Sequence, residues 1–260
     1  MSTKKDLPGK YKNLKVFNLI MGFFHFIQGT LMFLLSNKFS LPITTSYLSF
    51  DIANKTTASA IKNVGSVQIG PVVSIFLFLS AGAHFLLTLP KVYDWYINYL
   101  KKGINLIRWY EYTFSSSIMI VIIAMLCGMY DLSSLILIFT VNASMIFFGL
   151  LMELHNQTTK KTDWTSFIFG SIVGFIPWVV IAMYFVGAVS SVGDIIPKFV
   201  YGILVSLFVF FNIFPLNMYL QYKKLGKWKD YLFGEKVYIL LSLIAKSALA
   251  WQVFSGTLRP

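Results

Sequence analysis

The chain has 260 residues, 57% of them hydrophobic and 17% aromatic, with only 12% charged and a formal net charge of +12. Soluble domains carry about a quarter charged residues, so this composition excludes an ordinary soluble enzyme and describes one polytopic membrane domain over residues 1–260. The single cysteine, Cys127, excludes an intramolecular disulfide.

Residues 1–13 are polar and basic, and the apolar run after them is long enough to span, which argues against a cleaved signal peptide. Apolar runs follow at about 14–35, 68–89, 104–127, 133–152, 165–187, 198–222 and 236–256. Each reaches the ~20 residues that cross a hydrocarbon core, which predicts an all-α bundle of seven transmembrane helices. The first run carries His25 and, one turn on, Gln28; the second carries His84. Between them, residues 36–67 form a loop too long to be idle. It holds Pro42, Gly65 and β-branched stretches (Ile43-Thr44-Thr45, Thr56-Thr57) that predict a small β-hairpin.

The third run holds Asn105, Arg108, Glu111 and Ser115. Pro177-Trp178 in the fifth run and the Phe208–Phe214 region of the sixth, with Asn212, offer aromatic walls for a flat ligand. The seventh run places Lys246 about 15 Å deep and Glu111 lies about 10 Å deep from the same side, at 1.5 Å per residue. A lysine at that depth is costly and needs a partner, a cavity or chemistry that uses its amine. A buried lysine is also the natural residue for a Schiff base with a carbonyl ligand. Seven spans with one such lysine in the last is the arrangement of a retinal-binding photoreceptor. Ser115 and Ser242 lie four residues from Glu111 and Lys246 and share a helix face with them. No zinc spacing, phosphate loop or nucleophile triad occurs, so an enzyme reading has no residues to rest on.

Fifteen basic residues fall on the side of the N-terminus: Lys4, Lys5, Lys10, Lys12, Lys15, Lys91, Lys101, Lys102, Lys160, Lys161, Lys223, Lys224, Lys227, Lys229 and Lys236. Lys38, Lys55, Lys62, Lys198 and Arg259 fall on the other. The positive-inside rule then puts the N-terminus in the cytoplasm and the C-terminus outside. The basic excess is topological and implies no nucleic-acid partner.

The chain resembles the heliorhodopsins along nearly its whole length. The resemblance is densest in Arg108-Trp-Tyr-Glu-Tyr-Thr-Phe-Ser-Ser-Ser117, Val141-Asn-Ala-Ser-Met145, Phe199-Val-Tyr-Gly202 and Ala245-Lys-Ser-Ala-Leu-Ala-Trp-Gln-Val-Phe-Ser-Gly-Thr-Leu258. It implies all-trans retinal linked to Lys246, with Glu111 as counterion and Ser115 and Ser242 as hydrogen-bonding neighbours. It implies that Met145, Trp178, Phe208, Phe211 and Asn212 line or border the chromophore. His25, His84, Arg108, Gln28 and Asn105 are expected in a polar cavity on the cytoplasmic side that takes part in proton movement. The family's inverted orientation agrees with the charge count, and a homodimer using the first extracellular loop is implied.

The expected function is light sensing without net ion pumping, with an unidentified cytoplasmic signalling partner; the exposed basic loop Lys223–Lys236 reads first as positive-inside anchoring and second as a place to receive one. A pump needs a second carboxylate on the third helix, but Ile122 stands eleven residues beyond Glu111, flanked by Val121 and Ile123. The alternatives are a light-activated ion or proton conductor and a non-photic scaffold held by a permanent Lys246–Glu111 pair.

Overall fold

In the computed structural model, residues 7–192 and 198–258 are described. The elements in chain order are α1 (Leu7–Leu35), β1 (Ser40–Asp51), β2 (Thr56–Gln68), α2 (Ile69–Leu86), α3 (Pro90–Leu100), α4 (Leu106–Leu126), α5 (Leu132–His155), α6 (Thr165–Val192), α7 (Lys198–Tyr222) and α8 (Tyr231–Val253). Among the described residues, seven helices are long and apolar enough to cross a membrane, all of these except α3. The protein is an integral multi-pass membrane protein. The basic residues Lys4, Lys5 and Arg259 lie outside the described residues.

Hydrophobicity all round a helix means a membrane span or a deep core, and here the outer faces of the helices are apolar. Phe23, Ile27, Leu34, Ile172 and Val205 are each about half exposed or more. Inside, Met32, Phe76, Leu77, Ile120, Ile122 and Leu249 are almost wholly buried in one core toward the hairpin end. Two smaller apolar clusters lie toward the N-terminal end, one around Tyr96, Leu100 and Leu232, the other around Trp109, Met152 and Tyr238.

The hairpin is longer than expected. Ile43 and Thr44 do not meet Thr56 and Thr57; Ile43 pairs with Gly65 and Phe50 with Thr57, with a bulge between Ile43 and Thr44. Its turn is closed by Asp51, whose carboxylate accepts from the backbone amides of Ala53 and Asn54 and from the Asn54 side chain. The hairpin is pinned to the α4–α5 turn. α4 is stopped just before Gly128, whose φ of 101° lets the Met129 amide reach back to Ala124 O, as in a Schellman stop. Tyr130 O then accepts from the Thr44 amide at 2.8 Å, and Asp131 caps α5 while accepting from the Ser46 amide at 3.2 Å.

α3 was not anticipated. Its Pro90 stands in the first turn, and Tyr96, Ile97 and Leu100 form its buried face, so a short amphipathic helix occupies the connection between the second and third spans.

Candidate functional site

α4 and α8 bring Glu111 and Lys246 together. Lys246 Nζ donates to Glu111 Oε1 at 2.8 Å and to Ser242 Oγ at 2.9 Å. The side chains of lysine and glutamate are only 4% and 8% exposed, so their charges rest on each other rather than on water. Ser80 of α2 donates to the same carboxylate oxygen at 2.7 Å. The Tyr112 ring lies 5.1 Å from Nζ, a cation–π distance.

From this pair a cavity of about 190 Å³ extends among α4, α5, α6, α7 and α8. Its walls are mainly apolar and aromatic, including Trp109, Tyr112, Met145, Trp178, Phe211 and Phe214. Gly149, Gly170 and Gly174 line it from α5 and α6. A Cβ at Gly174 would collide with Met145 Sδ, and one at Gly149 with the Trp109 indole. These glycines admit the large side chains that shape the cavity. A long apolar ligand with one aldehyde end fits this set: aromatic walls, a primary amine, and a carboxylate beside that amine.

Toward the N-terminal end a second polar region begins. His25 and His84 stack with ring centroids 5.5 Å apart and planes 14° from parallel. His84 Nδ1 is 2.8 Å from Asn18 Oδ1. Both His25 nitrogens are buried and have no hydrogen-bond partner. A small void of about 30 Å³ lies between Glu111 and Arg108, bordered by Asn18, Ser80, His84 and Tyr96. That is room for about one water.

Arg108 closes this region. Its guanidinium pairs with Glu153 and Glu235, and the three side chains are 5%, 1% and 0% exposed. Asn105, the N-cap of α4, donates from its backbone to Glu153 and from its side chain to Glu235. Trp109 Nε1 adds a 2.6 Å bond to Glu153, and the guanidinium sits 4.0 Å from the Tyr238 ring centre.

The chain matches the heliorhodopsin family over residues 14–258, almost its whole length. It belongs to the heliorhodopsin family. No curated protein matches it. Membership implies a retinal chromophore and a light-sensing rhodopsin, and the cavity at Lys246 has the character such a chromophore needs. In this heliorhodopsin Met145, Trp178, Phe211 and Asn212 border the cavity.

Several sequence expectations are corrected. Phe208 does not line the cavity; it is 36% exposed and packs edge-on against Trp178 from outside, 5.2 Å between centroids. Ser115 lines the cavity as expected, but its hydroxyl makes no hydrogen bond; the hydroxyl that donates to the carboxylate comes from Ser80 on a neighbouring helix. Gln28 does not enter the polar cavity. Its amide donates to Phe24 O and its oxygen accepts from Trp251 Nε1, tying α1 to α8. Arg108 and Asn105 border the void, but their polar groups are largely committed to Glu153 and Glu235. Those two acids escaped the sequence reading because it ended the fourth span at 152 and began the seventh at 236. α5 runs to His155 and α8 starts at Tyr231, which takes both acids inside. An arginine within a span demands carboxylate partners, and that demand is the signal that could have found them.

Proposed function

We propose that this heliorhodopsin binds all-trans retinal through Lys246, with Glu111 as counterion, and works as a light sensor that returns its proton without net transport. The buried Lys246–Glu111 pair at the edge of an aromatic-walled cavity carries the reading. Lys246 would hold the aldehyde end of retinal through its amine, with the loss of one water. Retinal, when bound, supplies a polyene that absorbs visible light and isomerises. The chain's residues do the rest. Glu111 holds a positive charge on the linked nitrogen, since an opposite charge within hydrogen-bond distance favours the protonated form. Ser80 and Ser242 fix the carboxylate and the lysine nitrogen.

Beyond Glu111, the His25–His84 pair offers an acceptor for a proton leaving that nitrogen, and the small void beside His84 gives it a path. The Arg108–Glu153–Glu235 cluster closes the path toward the N-terminal face. With the N-terminus cytoplasmic, as the basic residues favour, proton movement is confined to the cytoplasmic half. Charge displacement there would bias α6 or α7, each interrupted by a proline, Pro177 and Pro215, toward a partner-binding state. The hairpin exposes Leu48, Phe50, Ile52 and Ile61, an apolar surface suited to a homodimer contact.

The test is expression of the chain with all-trans retinal, recording the visible spectrum and the current across a voltage-clamped membrane under light. A visible band that Lys246→Ala abolishes, with no current, is the expected result. A band with a current would overturn the non-transporting reading in favour of a conductor. No band would overturn the assignment of Lys246 and leave a scaffold held by its ion pair.

A further inference from the structure

We propose that the seam between α1 and α3 is a binding site for the phosphate headgroup of an anionic lipid. Lys15 of α1 lies over the Tyr93 ring of α3, 5.0 Å from its centre. Lys101, just past the end of α3, lies 6.0 Å from the Tyr11 ring centre on α1. The two helices thus exchange cation–π contacts, and each lysine is fixed by a ring contributed by the other helix. Lys102 rests 5.6 Å from the centre of Tyr99, whose ring lies 4.7 Å from that of Trp95, tilted by 50°.

Few charges oppose these three ammonium groups. Asp94 is exposed on α3, and Asp230 is paired with Lys10 at 3.2 Å. None of the three lysines has a carboxylate within salt-bridge distance among the described residues. A phosphodiester is the complement of such a basic cluster, and tyrosine and tryptophan rings at the headgroup level are the usual anchors of a membrane interface.

The surroundings favour a lipid over free phosphate. Immediately beyond Lys15, the outer face of α1 turns apolar, with Val16, Leu19, Ile20 and Phe23 each 40% exposed or more. A headgroup held by Lys15 would therefore lay its acyl chains along an exposed apolar stripe. α3 supports this placement, because Tyr96, Ile97 and Leu100 bind it to the bundle while Lys91 and Trp95 remain exposed.

Native mass spectrometry of the full chain in detergent, titrated with phosphatidylglycerol or phosphatidylcholine, tests the site. The expected result is preferential retention of phosphatidylglycerol that falls about a hundredfold in affinity in the Lys15→Gln/Lys101→Gln/Lys102→Gln variant, the scale for removing three cations at an anionic headgroup. The Lys223→Gln/Lys224→Gln/Lys227→Gln variant, with the same loss of charge in another loop, should keep the preference. Equal loss in both variants would replace a site with a general basic surface and overturn the proposal. So would the absence of any preference for phosphatidylglycerol. Inorganic phosphate at millimolar concentration should not displace the lipid; displacement would make the site one for free phosphate. Unchanged circular dichroism of both variants excludes misfolding as the cause. None of these readouts depends on a bound chromophore.

Discussion

Arg108→Met removes the guanidinium at the centre of the most buried charge cluster and leaves an unbranched side chain in its place. In the folded protein Arg108 pairs with two carboxylates, and all three side chains are 5% exposed or less. Breaking a buried pair by deleting one partner costs about 3–5 kcal/mol, because the surviving charge has no compensation. Here two carboxylates survive, held near each other by Asn105 and Trp109. The stacking of the guanidinium against Tyr238 is lost as well. The expected destabilisation is therefore at the top of the range, about 5 kcal/mol. Denaturant unfolding of the purified chain in micelles, followed by circular dichroism, measures it. The triple variant Arg108→Met/Glu153→Gln/Glu235→Gln should recover most of the loss, since neutral replacement of a buried ion cluster is often close to isoenergetic. A single variant losing less than about 1 kcal/mol, or a triple variant no more stable than the single, would refute the view that these three charges form one coupled unit.

Four further outcomes follow from individual contacts. Ser80→Ala, which removes a hydrogen bond to a carboxylate, should cost about 1.5–3 kcal/mol in the same unfolding assay. Ser115→Ala removes a hydroxyl without a partner and should cost less than about 1 kcal/mol or stabilise; equal effects would restore Ser115 to the site. Gly174→Leu drives a side chain through Met145 and should block formation of the visible band with added retinal while circular dichroism still reports the helical bundle. A normal band would show that the cavity at this point is not the chromophore's. Finally, hydrogen bonds from the Ser134 backbone and side chain hold the Asp131 carboxyl below its usual range. Its folded pKa is thus lower than its unfolded one, so its cap contributes above the unfolded value and is lost as pH falls through the folded value. Amide exchange at Ser134 and Ser46, corrected for the intrinsic pH dependence, should lose protection in acid. Asp131→Ala should remove that acid step and leave both amides weakly protected at neutral pH.

How much of this was legible in the sequence differs by the kind of signal. The seven spans are written in long apolar runs, and Lys246 and Glu111 stand out because a charge in such a run is costly. Lys246–Ser242 was legible because a four-residue spacing fixes both groups on one helix face. Ser80 was not, since spacing along α4 says nothing about which residue a neighbouring helix presents to Glu111, and Ser115 was chosen in its stead. Glu153 and Glu235 were hidden because a carboxylate at the edge of an apolar run reads as the start of a loop. α3 was hidden because its apolar positions are too few for a span. Phe208 was misplaced for a different reason: it is close to Trp178 in space but on the outer side, and a stripe of phenylalanines does not declare which of its members face inward.

The distribution of polar groups across the bundle argues for sensing over transport. Among the described residues, the buried acidic and basic side chains are Lys246, His25, His84, Arg108, Glu153 and Glu235, with Glu111 nearly so. They lie level with Lys246 or between it and the N-terminal end. Toward the hairpin end, Asn142 pairs with Ser116 and Ser117, and Gln252 with Ser206, all neutral, while the half-buried acid Asp131 sits at the very end of the bundle as the cap of α5. Ser74 donates to Gly70 O within its own helix. Beyond them stands the core of Met32, Phe76, Ile120, Ile122 and Leu249. A proton crossing that half would need an acceptor in a region where ionised groups are expensive. A proton released toward His84 instead meets a void, a pair of imidazoles and then a closed ion cluster. On the proposed function, such a path would store charge and give it back. The Arg108 cluster would then be the barrier that keeps the excursion short, and Arg108→Met in the illuminated protein should let the proton out on the N-terminal side without a current across the membrane, because the hairpin half stays closed.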